Sequence, residues 1–267
     1  MKLVVPIPAD YNLLPFIRSN ITEFYFGYIP LWWKEKYSLL NSINRRYAPL
    51  EQCDSIRVIK KIIKEFKNKN TNFSMAVNAP LYTTKQINKI VNTVEYFYSI
   101  GLGAVIVADI GLILAIKKYL PGIKIHISCV AGCFNSYAAD FFKQIGADRI
   151  ILPRSVGISE IASICARNRN IELEAMTTTK DCLNIDGLCT HHHGKDNTIS
   201  PCYEEYRYLK RARINVPEDD LQRIYQLFKN GITYLKLPRR GETAEEMLRK
   251  NRLVISLINR ISENSHR

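Results

Sequence analysis

Side chains able to bind a metal are concentrated in one short stretch, DCLNIDGLCTHHHGKDNTISPCY, at residues 181–203. Its candidate ligands are Cys182, Cys189, Cys202 and the histidine run His191 to His193. Thiolates and imidazoles are the side chains that bind zinc and iron–sulfur clusters. The stretch follows an apolar segment at 171–176, IELEAM, which is typical of a strand. We therefore predict a metal or cluster site in a loop at the end of a strand.

Three cysteines leave one position open at a four-coordinate metal or cluster. Cys53 is the leading candidate for this position, because it closes a predicted loop on the same face of the fold. His191 or His193 is the second candidate, and a position filled by substrate is the third. The alternative to a cluster is zinc bound by three cysteines and one histidine, and such a zinc often only staples a loop.

Composition limits the class of protein. The chain has 267 residues, 46% of them hydrophobic, which suits a single α/β barrel of about 250 residues. No apolar run reaches the ~18 residues of a membrane span. The N-terminal segment, broken by Pro6, Pro8 and Asp10, does not resemble a signal peptide. We expect a cytoplasmic protein whose seven cysteines are reduced and available as ligands.

The net charge of +13 and the isoelectric point of about 9.4 favour anionic partners. The basic residues are scattered along the sequence, with the densest clusters at 60–64 and 208–213. Charge alone therefore predicts an anionic substrate or cofactor, such as a carboxylate, and leaves RNA open as a substrate.

Hydrophobic patterns predict eight strands, with helices between most of them. The predicted strands are 2–8, 23–28, 72–79, 104–109, 124–130, 148–153, 171–176 and 232–237. One long last helix is predicted from Thr243 to about Ile261. Eight alternating repeats in this length imply a TIM-like (β/α)8 barrel that occupies 1–267 as a single domain, with a cysteine-rich insertion at 177–206 after the seventh strand. A doubly wound open sheet is the alternative, but no G-x-G-x-x-G motif follows the first strand.

Active sites of such barrels lie at the carboxyl ends of the strands. This rule predicts the catalytic residues Asp109, Arg154, Glu174 and Lys236. It also predicts the substrate-binding residues Arg45, Arg46, Asn78, Arg239 and Arg240. Several arginines on one rim suit a carboxylate or a phosphate, and the two acids suit proton transfer. His126, Cys129, Cys133 and Cys165 are predicted to be structural, with Cys129 and Cys133 as alternative ligands of a second site.

Several ordered segments resemble a known family. They are EFYFG with the later NRRY, ADIG at 108–111, HISCVAGCFNS at 126–136, GADRIILPRSVGISEI at 146–161, the cysteine spacing after IELEAM, and GITYLKLPRRG at 231–241. Together they resemble peptidase family U32, the collagenase-like proteins. That family includes paired ubiquinone-biosynthesis proteins and proteins of anaerobic tRNA and rRNA hydroxylation.

The resemblance implies a TIM-like barrel with a 4Fe–4S cluster on Cys182, Cys189 and Cys202, and Arg154 matches the arginine after the sixth strand. Members often have a further cysteine beyond the third, but none follows Cys202, so Cys53 would stand for the early cysteine of other members. The implied activity is oxygen-independent hydroxylation of RNA, a quinone precursor or a peptide. A metal-dependent peptidase and a non-catalytic subunit with a homologous partner are the alternatives, although no G-x-S-x-G or H-E-x-x-H motif is present.

Overall fold

The computed structural model describes residues 1–16, 21–37, 43–46, 49–53, 55–66, 69, 71–177, 186–188, 221–238 and 240–264. Its eight strands are β1 (Lys2–Pro6), β2 (Ile21–Gly27), β3 (Asn72–Val77), β4 (Ala104–Val107), β5 (Lys124–Ile127), β6 (Arg149–Ile151), β7 (Glu172–Met176) and β8 (Tyr234–Lys236). Each strand pairs in parallel with the next, and β8 pairs with β1. The sheet is therefore a closed barrel, which confirms the predicted TIM-like fold and excludes the open sheet.

Helices cover the outside of the barrel. In the described part of the chain they are α1 (Leu31–Lys34), α2 (Ile56–Phe66), α3 (Thr84–Ser99), α4 (Ile110–Tyr119), α5 (Ser136–Gln144), α6 (Ile158–Arg167), α7 (Leu221–Lys229), α8 (Ala244–Lys250) and α9 (Arg252–Asn264). None of these helices is long and apolar enough to cross a bilayer. The main core lies between the strands and this helical layer, and a smaller apolar cluster fills part of the barrel interior.

Several predicted elements differ from the structure in their bounds, and most predicted strands are longer than the observed ones. The single last helix is wrong, because Asn251 separates α8 from α9 and its side-chain amide donates to the carbonyl of Met247 (2.7 Å). Asparagine side chains compete with the helical backbone in this way. The fifth strand is predicted too long, because Cys129–Ala131 form a 3-10 turn that ends at Gly132 in the left-handed region.

Side-chain caps fix the starts of several helices at the mouth of the barrel. Thr83 and Gln86 form a reciprocal capping box at the start of α3. Asn135 accepts a hydrogen bond from the backbone of Ala138 in the first turn of α5. Each cap satisfies backbone N–H groups that a helix start would leave unpaired. These starts follow the carboxyl ends of the strands, which is the edge where the predicted site residues lie.

Candidate functional site

The carboxyl ends of the strands form a mouth lined by polar side chains. The Asn78 amide, just after β3, donates to the Ser128 hydroxyl just after β5 (2.9 Å). The contact spans the intervening strand β4 and joins two alternate strands of the barrel. Asn78 therefore lies where the strand-end rule predicts it, half-buried at the mouth.

Three of the predicted substrate-binding arginines meet on one side of this mouth. Arg240 Nη1 donates to the backbone carbonyl of Arg45 (3.3 Å) and lies 3.6 Å from a Glu51 carboxylate oxygen. Arg46 is only 2% exposed, with its guanidinium carbon 5.2 Å from the centre of the Tyr25 ring. Burial, together with the charge of Arg240, lowers the pKa of Arg46 to about 10. Arg46 is still a cation at neutral pH, so this rim is positively charged.

A glycine at the end of β2 allows this arginine to reach its position. A Cβ at Gly27 would overlap the Arg46 guanidinium and crowd the side chains of Asn44 and Gln52. The Asn44 and Gln52 amides exchange two hydrogen bonds (2.8 and 2.9 Å), and Gln52 also donates to the Arg46 carbonyl (3.0 Å). The Cys53 N–H donates to the Gly27 carbonyl (2.8 Å). This loop is thus fastened to the strand end, and it carries both Arg46 and Cys53.

A narrow cleft opens between the ends of β1 and β2, this loop and the segment after β8. Residues that line it include Pro6, Tyr25, Arg46, Glu51, Cys53 and Arg240. Two guanidinium groups face one carboxylate among these lining residues, so the cleft favours an anion. The predicted fourth ligand, Cys53, and two predicted substrate cations share this one opening.

A network of buried charges fills the barrel below the mouth. Arg149 on β6 donates to Glu23 on β2 and to Glu174 on β7 (2.9 Å each). Because β2 and β6 are four strands apart in a ring of eight, the Arg149–Glu23 pair crosses the barrel axis. Arg149 Nε also donates to Glu172 (3.0 Å). Burial alone would lower the pKa of Arg149, but these three carboxylates raise it above its ordinary value.

The predicted catalytic pair Glu174 and Lys236 belongs to this network. Lys236 Nζ donates to one Glu174 oxygen (3.0 Å), while the other Glu174 oxygen accepts from Arg149. The Lys236 ammonium also lies 3.8 Å from the centre of the Tyr25 ring. Glu174 is completely buried and Lys236 almost so. The two residues neutralise each other beneath the cleft, and their catalytic role stays a prediction.

Glu23, His126 and Arg149 were missed as site residues by sequence reasoning. His126 Nδ1 lies 3.5 Å from a Glu23 oxygen, and His126 Nε2 has no hydrogen-bond partner among the described residues. The Ser74 hydroxyl donates to Glu23 (2.7 Å). Burial would raise the pKa of Glu23, but His126, Arg149 and Ser74 hold it well below its usual value. The sequence did contain a signal for them, namely charged or ionisable residues within otherwise apolar strands. Such a residue must contact either water or an oppositely charged side chain inside the barrel.

Asp109, also predicted to be catalytic, has both carboxylate oxygens engaged. One oxygen accepts from the backbone of Leu112 (2.7 Å) and caps α4, and the other accepts from the backbone of Tyr82 (3.1 Å). The Tyr82 hydroxyl donates in turn to the Ile43 carbonyl (2.6 Å). Asp109 therefore ties two mouth loops to the start of a helix. Its role as an acid or base remains a prediction.

Arg154 anchors a piece of the cysteine-rich insertion. Its Nη2 and Nε atoms donate to the two Asp186 carboxylate oxygens (2.6 and 3.3 Å), and its backbone N–H donates to one of them (3.1 Å). Gly187 has a φ of +91° and packs so closely that a Cβ would overlap the Val130 carbonyl. Asp186 and Gly187 lie between Cys182 and Cys189 in the sequence. The segment 186–188 is thus fixed to the mouth beside the ends of β5 and β6.

Several predicted ligands and one arginine lie outside the described residues: Cys182, Cys189, Cys202, His191, His193 and Arg239. Across the described ranges, no group of three or more histidines, cysteines or acids is arranged to hold a metal. Cys129, Cys133 and Cys165 are buried, as predicted for structural cysteines. Burial raises the pKa of the Cys129 and Cys165 thiols to about 11 and that of Cys133 to about 12.

Sequence comparison decides the family. The model of Peptidase family U32 matches residues 36–267. The chain belongs to peptidase family U32. This confirms the family that the ordered motifs indicated and places the arginine rim, Arg154 and the cysteine-rich insertion of this U32 protein all within the matched region.

Curated relatives of this U32 protein share a name. The tRNA hydroxylation protein P of Haemophilus influenzae is 31% identical over 127 residues, which cover 48% of this chain and 27% of that protein. The tRNA hydroxylation protein P2 of Bacillus subtilis is 22% identical over 182 residues, 68% of this chain and 53% of that protein. The match therefore spans between about a quarter and half of the length of these relatives.

A solved structure agrees on the fold. The U32 peptidase Mk0906 superposes with a TM-score of 0.58 at 13% identity, over 89% of this chain and 92% of that chain. At this identity the likeness concerns the fold alone. It supports the closed barrel of this U32 protein independently of its strand pairing.

Proposed function

We propose that this U32 protein is an iron–sulfur enzyme that hydroxylates tRNA without using molecular oxygen. The relatives named tRNA hydroxylation proteins support the reaction class and the substrate. The observation that carries the site is the Arg154–Asp186 contact (2.6 Å), because it ties the cysteine-bearing segment to the mouth of the barrel. In metal sites generally, neighbouring residues hold the ligand-bearing segments in place through hydrogen bonds.

The donor set suits a 4Fe–4S cluster. Cys182, Cys189 and Cys202 would hold it, with Cys53 as the fourth ligand and His191 or His193 as the alternative. Cys53 lines the cleft together with Arg46 and Arg240, so its side chain lies at the mouth where the cluster is proposed. A bound cluster would supply one-electron redox chemistry. Zinc on the same ligands is the alternative, and it would leave the protein without that chemistry.

The protein's own residues would bind and orient the anionic reactant. Arg46 and Arg240 present guanidinium groups to the cleft, where a carboxylate can accept two hydrogen bonds from one of them. Arg46 is buried, and an ion pair formed away from water is stronger than one at the surface. The Tyr25 ring lines the cleft and lies close to both Arg46 and Lys236. We infer that a carboxylate-bearing oxygen donor binds here.

A related partner subunit is a second proposal. Two relatives from one organism, the tRNA hydroxylation proteins P1 and P2 of Bacillus subtilis, both match this chain. Two similar chains in one organism suit either separate substrates or a joint assembly. Size measurement on the protein from its native host distinguishes the two arrangements.

Anaerobic purification followed by iron, sulfide and zinc analysis tests the proposed site. We expect about four irons and four sulfides per chain with a broad visible absorption band. Cys182→Ala should lose the iron, and Cys53→Ala should lose it if Cys53 is the fourth ligand. Cys165→Ala is the matched control, because Cys165 is a buried cysteine on the apolar face of α6 and should leave the iron unchanged.

Activity is measured separately, by incubating unmodified tRNA with the protein and a carboxylate-bearing oxygen donor under anaerobic conditions and analysing the nucleosides by mass spectrometry. The expected product carries one additional oxygen atom, and Arg46→Met should reduce its yield at least tenfold. A colourless protein with one zinc per chain would refute the redox enzyme. Peptide cleavage abolished by a chelator would then support a metal-dependent peptidase.

A further inference from the structure

Two outer helices that follow successive strands carry a net positive charge. Six exposed cations lie on α2 and α3: Arg57, Lys60, Lys61, Lys64, Lys85 and Lys89. These six residues are called the basic wall. The same helices carry two acids, Glu65 and Glu95, whereas α5 and α6 carry two cations and two acids. With six cations and two acids, α2 and α3 together therefore carry a net charge of +4, whereas the charges on α5 and α6 cancel.

The spacing of these cations disfavours a purely structural role. Arg57 and Lys61, Lys60 and Lys64, and Lys85 and Lys89 are each four residues apart, so each pair lies on one helix face. Like charges at this spacing destabilise a helix by a few tenths of a kcal/mol, on the order of 0.2–0.5. No ion pair joins these residues to an acid within the described part of the chain. An external anion is the counter-charge that suits them.

The basic wall begins at the mouth. Helices α2 and α3 each follow the carboxyl end of a strand, so Arg57 and Lys85 in their first turns lie nearest the opening. The α2 helix has 11 residues and is roughly 16 Å long, enough to follow several phosphates of a nucleic acid backbone. The loop that precedes α2 carries Arg45 and Arg46. Positive charge therefore continues from the cleft onto the outer wall.

An aromatic side chain adjoins the basic wall. Trp32 on α1 is half-buried, and its indole N–H donates to Thr93 on α3 (3.4 Å). The Lys89 ammonium lies 5.1 Å from the centre of the Trp32 ring. Leu31 beside it is 67% exposed. Aromatic and aliphatic surface next to lysines is the composition with which proteins bind the bases and phosphates of RNA together.

We propose that the basic wall binds the phosphate backbone of the RNA substrate, with Trp32 at its edge and the target base directed to the mouth. This inference rests on the proposed function, for which it assigns the RNA-docking surface. RNA fits better than an acidic protein, because the cations repeat along the helices and the first of them lie nearest the mouth that carries the arginine rim. Binding of this kind is largely electrostatic and therefore depends on salt.

Fluorescence anisotropy with a labelled, unmodified tRNA transcript, at salt concentrations from about 50 to 200 mM, tests the assignment. Two charge reversals are made, Lys60→Glu with Lys64→Glu and Lys85→Glu with Lys89→Glu. Each should raise the Kd at least tenfold and reduce the salt slope of log K by about two. The control, Lys143→Glu with Arg169→Glu, makes the same change in net charge at exposed sites elsewhere and should alter the Kd less than twofold.

Intrinsic fluorescence locates the contact independently. Trp32 and Trp33 are the two tryptophans of the chain. Binding of tRNA should quench their emission, and Trp32→Phe should remove most of the quenching. Circular dichroism of every variant confirms that the barrel is folded.

The outcomes distinguish a failure of the basic wall as an RNA-docking surface from a failure of the proposed hydroxylation. Equal weakening by the control would mean a net-charge effect and would overturn the basic wall. Failure of the wild-type protein to bind tRNA would overturn the basic wall as an RNA-docking surface. Tighter binding of polyglutamate than of tRNA would overturn it in favour of an acidic protein partner. Selective weakening by the wall variants, in a protein that leaves the tRNA unhydroxylated, would uphold the surface and refute the proposed reaction.

Discussion

A single carboxylate determines where the cysteine-rich insertion meets the barrel. Asp186 is 7% exposed and accepts three hydrogen bonds from Arg154. Arg154 was predicted to be catalytic from its place after a strand, and that role is untested. Its observed contact is structural, because the guanidinium is occupied by a residue that stands between two predicted cluster ligands. Gly187 completes the anchor by allowing the chain to approach the Val130 carbonyl.

Replacing Gly187 by alanine should release this anchor. A non-glycine residue at positive φ costs about 1–3 kcal/mol, which shifts the docked fraction by roughly 5- to 150-fold, and the overlap with Val130 adds to this cost. We expect Gly187→Ala to be cleaved faster within 177–206 in limited proteolysis, and to contain less iron per chain.

Gly132→Ala provides the matched control, because Gly132 has a φ of +77° but no atom within 4 Å of an added Cβ. It carries the conformational strain without the steric overlap. Equal acceleration of cleavage in both variants would show that backbone strain, and not docking against Val130, explains the effect.

Buried ion pairs formed by Arg149 and Lys236 connect four strands. Arg149 on β6 contacts carboxylates on β2 and β7. The β7 carboxylate, Glu174, also forms an ion pair with Lys236 on β8. Isolated buried ions are costly, so removing one partner leaves the others uncompensated. The network therefore holds the barrel in one strand register.

Arg149→Met should lower the free energy of unfolding by about 3–5 kcal/mol, because it leaves Glu23 buried without this cation and Glu174 with Lys236 alone. Urea denaturation followed by circular dichroism measures the change. Arg167→Met is the control, since Arg167 forms its ion pair with Asp140 at the surface and should change stability little. If the loss of stability in Arg149→Met were as small as that in Arg167→Met, the network would contribute nothing to stability.

The order of strands and helices was predictable from the sequence, whereas the inward face of each strand was not. Strands such as Ala104–Val107 are buried on both sides, so alternation cannot tell which residues face the barrel axis. The rule of carboxyl strand ends located Arg46, Asn78 and Arg240 at the mouth. The same rule missed Arg149, because that residue lies at the beginning of its strand. It selected Glu174, but it did not predict that Glu174 pairs with Arg149 and Lys236.

Acid should weaken the whole molecule through Glu23. Its pKa is lowered in the folded state, so its ionised form stabilises the fold above the ordinary carboxyl pKa of about 4.3, and this contribution is lost as the pH falls below that value. We expect Glu23→Gln to be less stable than wild type at pH 7. The difference should shrink below pH ~4.3 by up to about 1.4 kcal/mol per pH unit.

Urea unfolding of both proteins at pH 7, 5, 4 and 3 measures this dependence. Carboxylates that do not share Arg149 with Glu23 titrate in both proteins and cancel in the comparison. A difference in stability that stays constant from pH 7 to pH 3 would contradict a lowered pKa for Glu23.

Among the residues that the structure describes, the charge pair that crosses the barrel axis closes the lumen below the mouth. Glu23 and Arg149 are at most 3% exposed and meet across the lumen, so small molecules have no passage between them. In the proposed reaction, the reactant and its spent product would then pass through the same mouth. Product that stays bound at the mouth would therefore act as a competitive inhibitor, and the apparent KM for the reactant would rise in proportion to the product concentration.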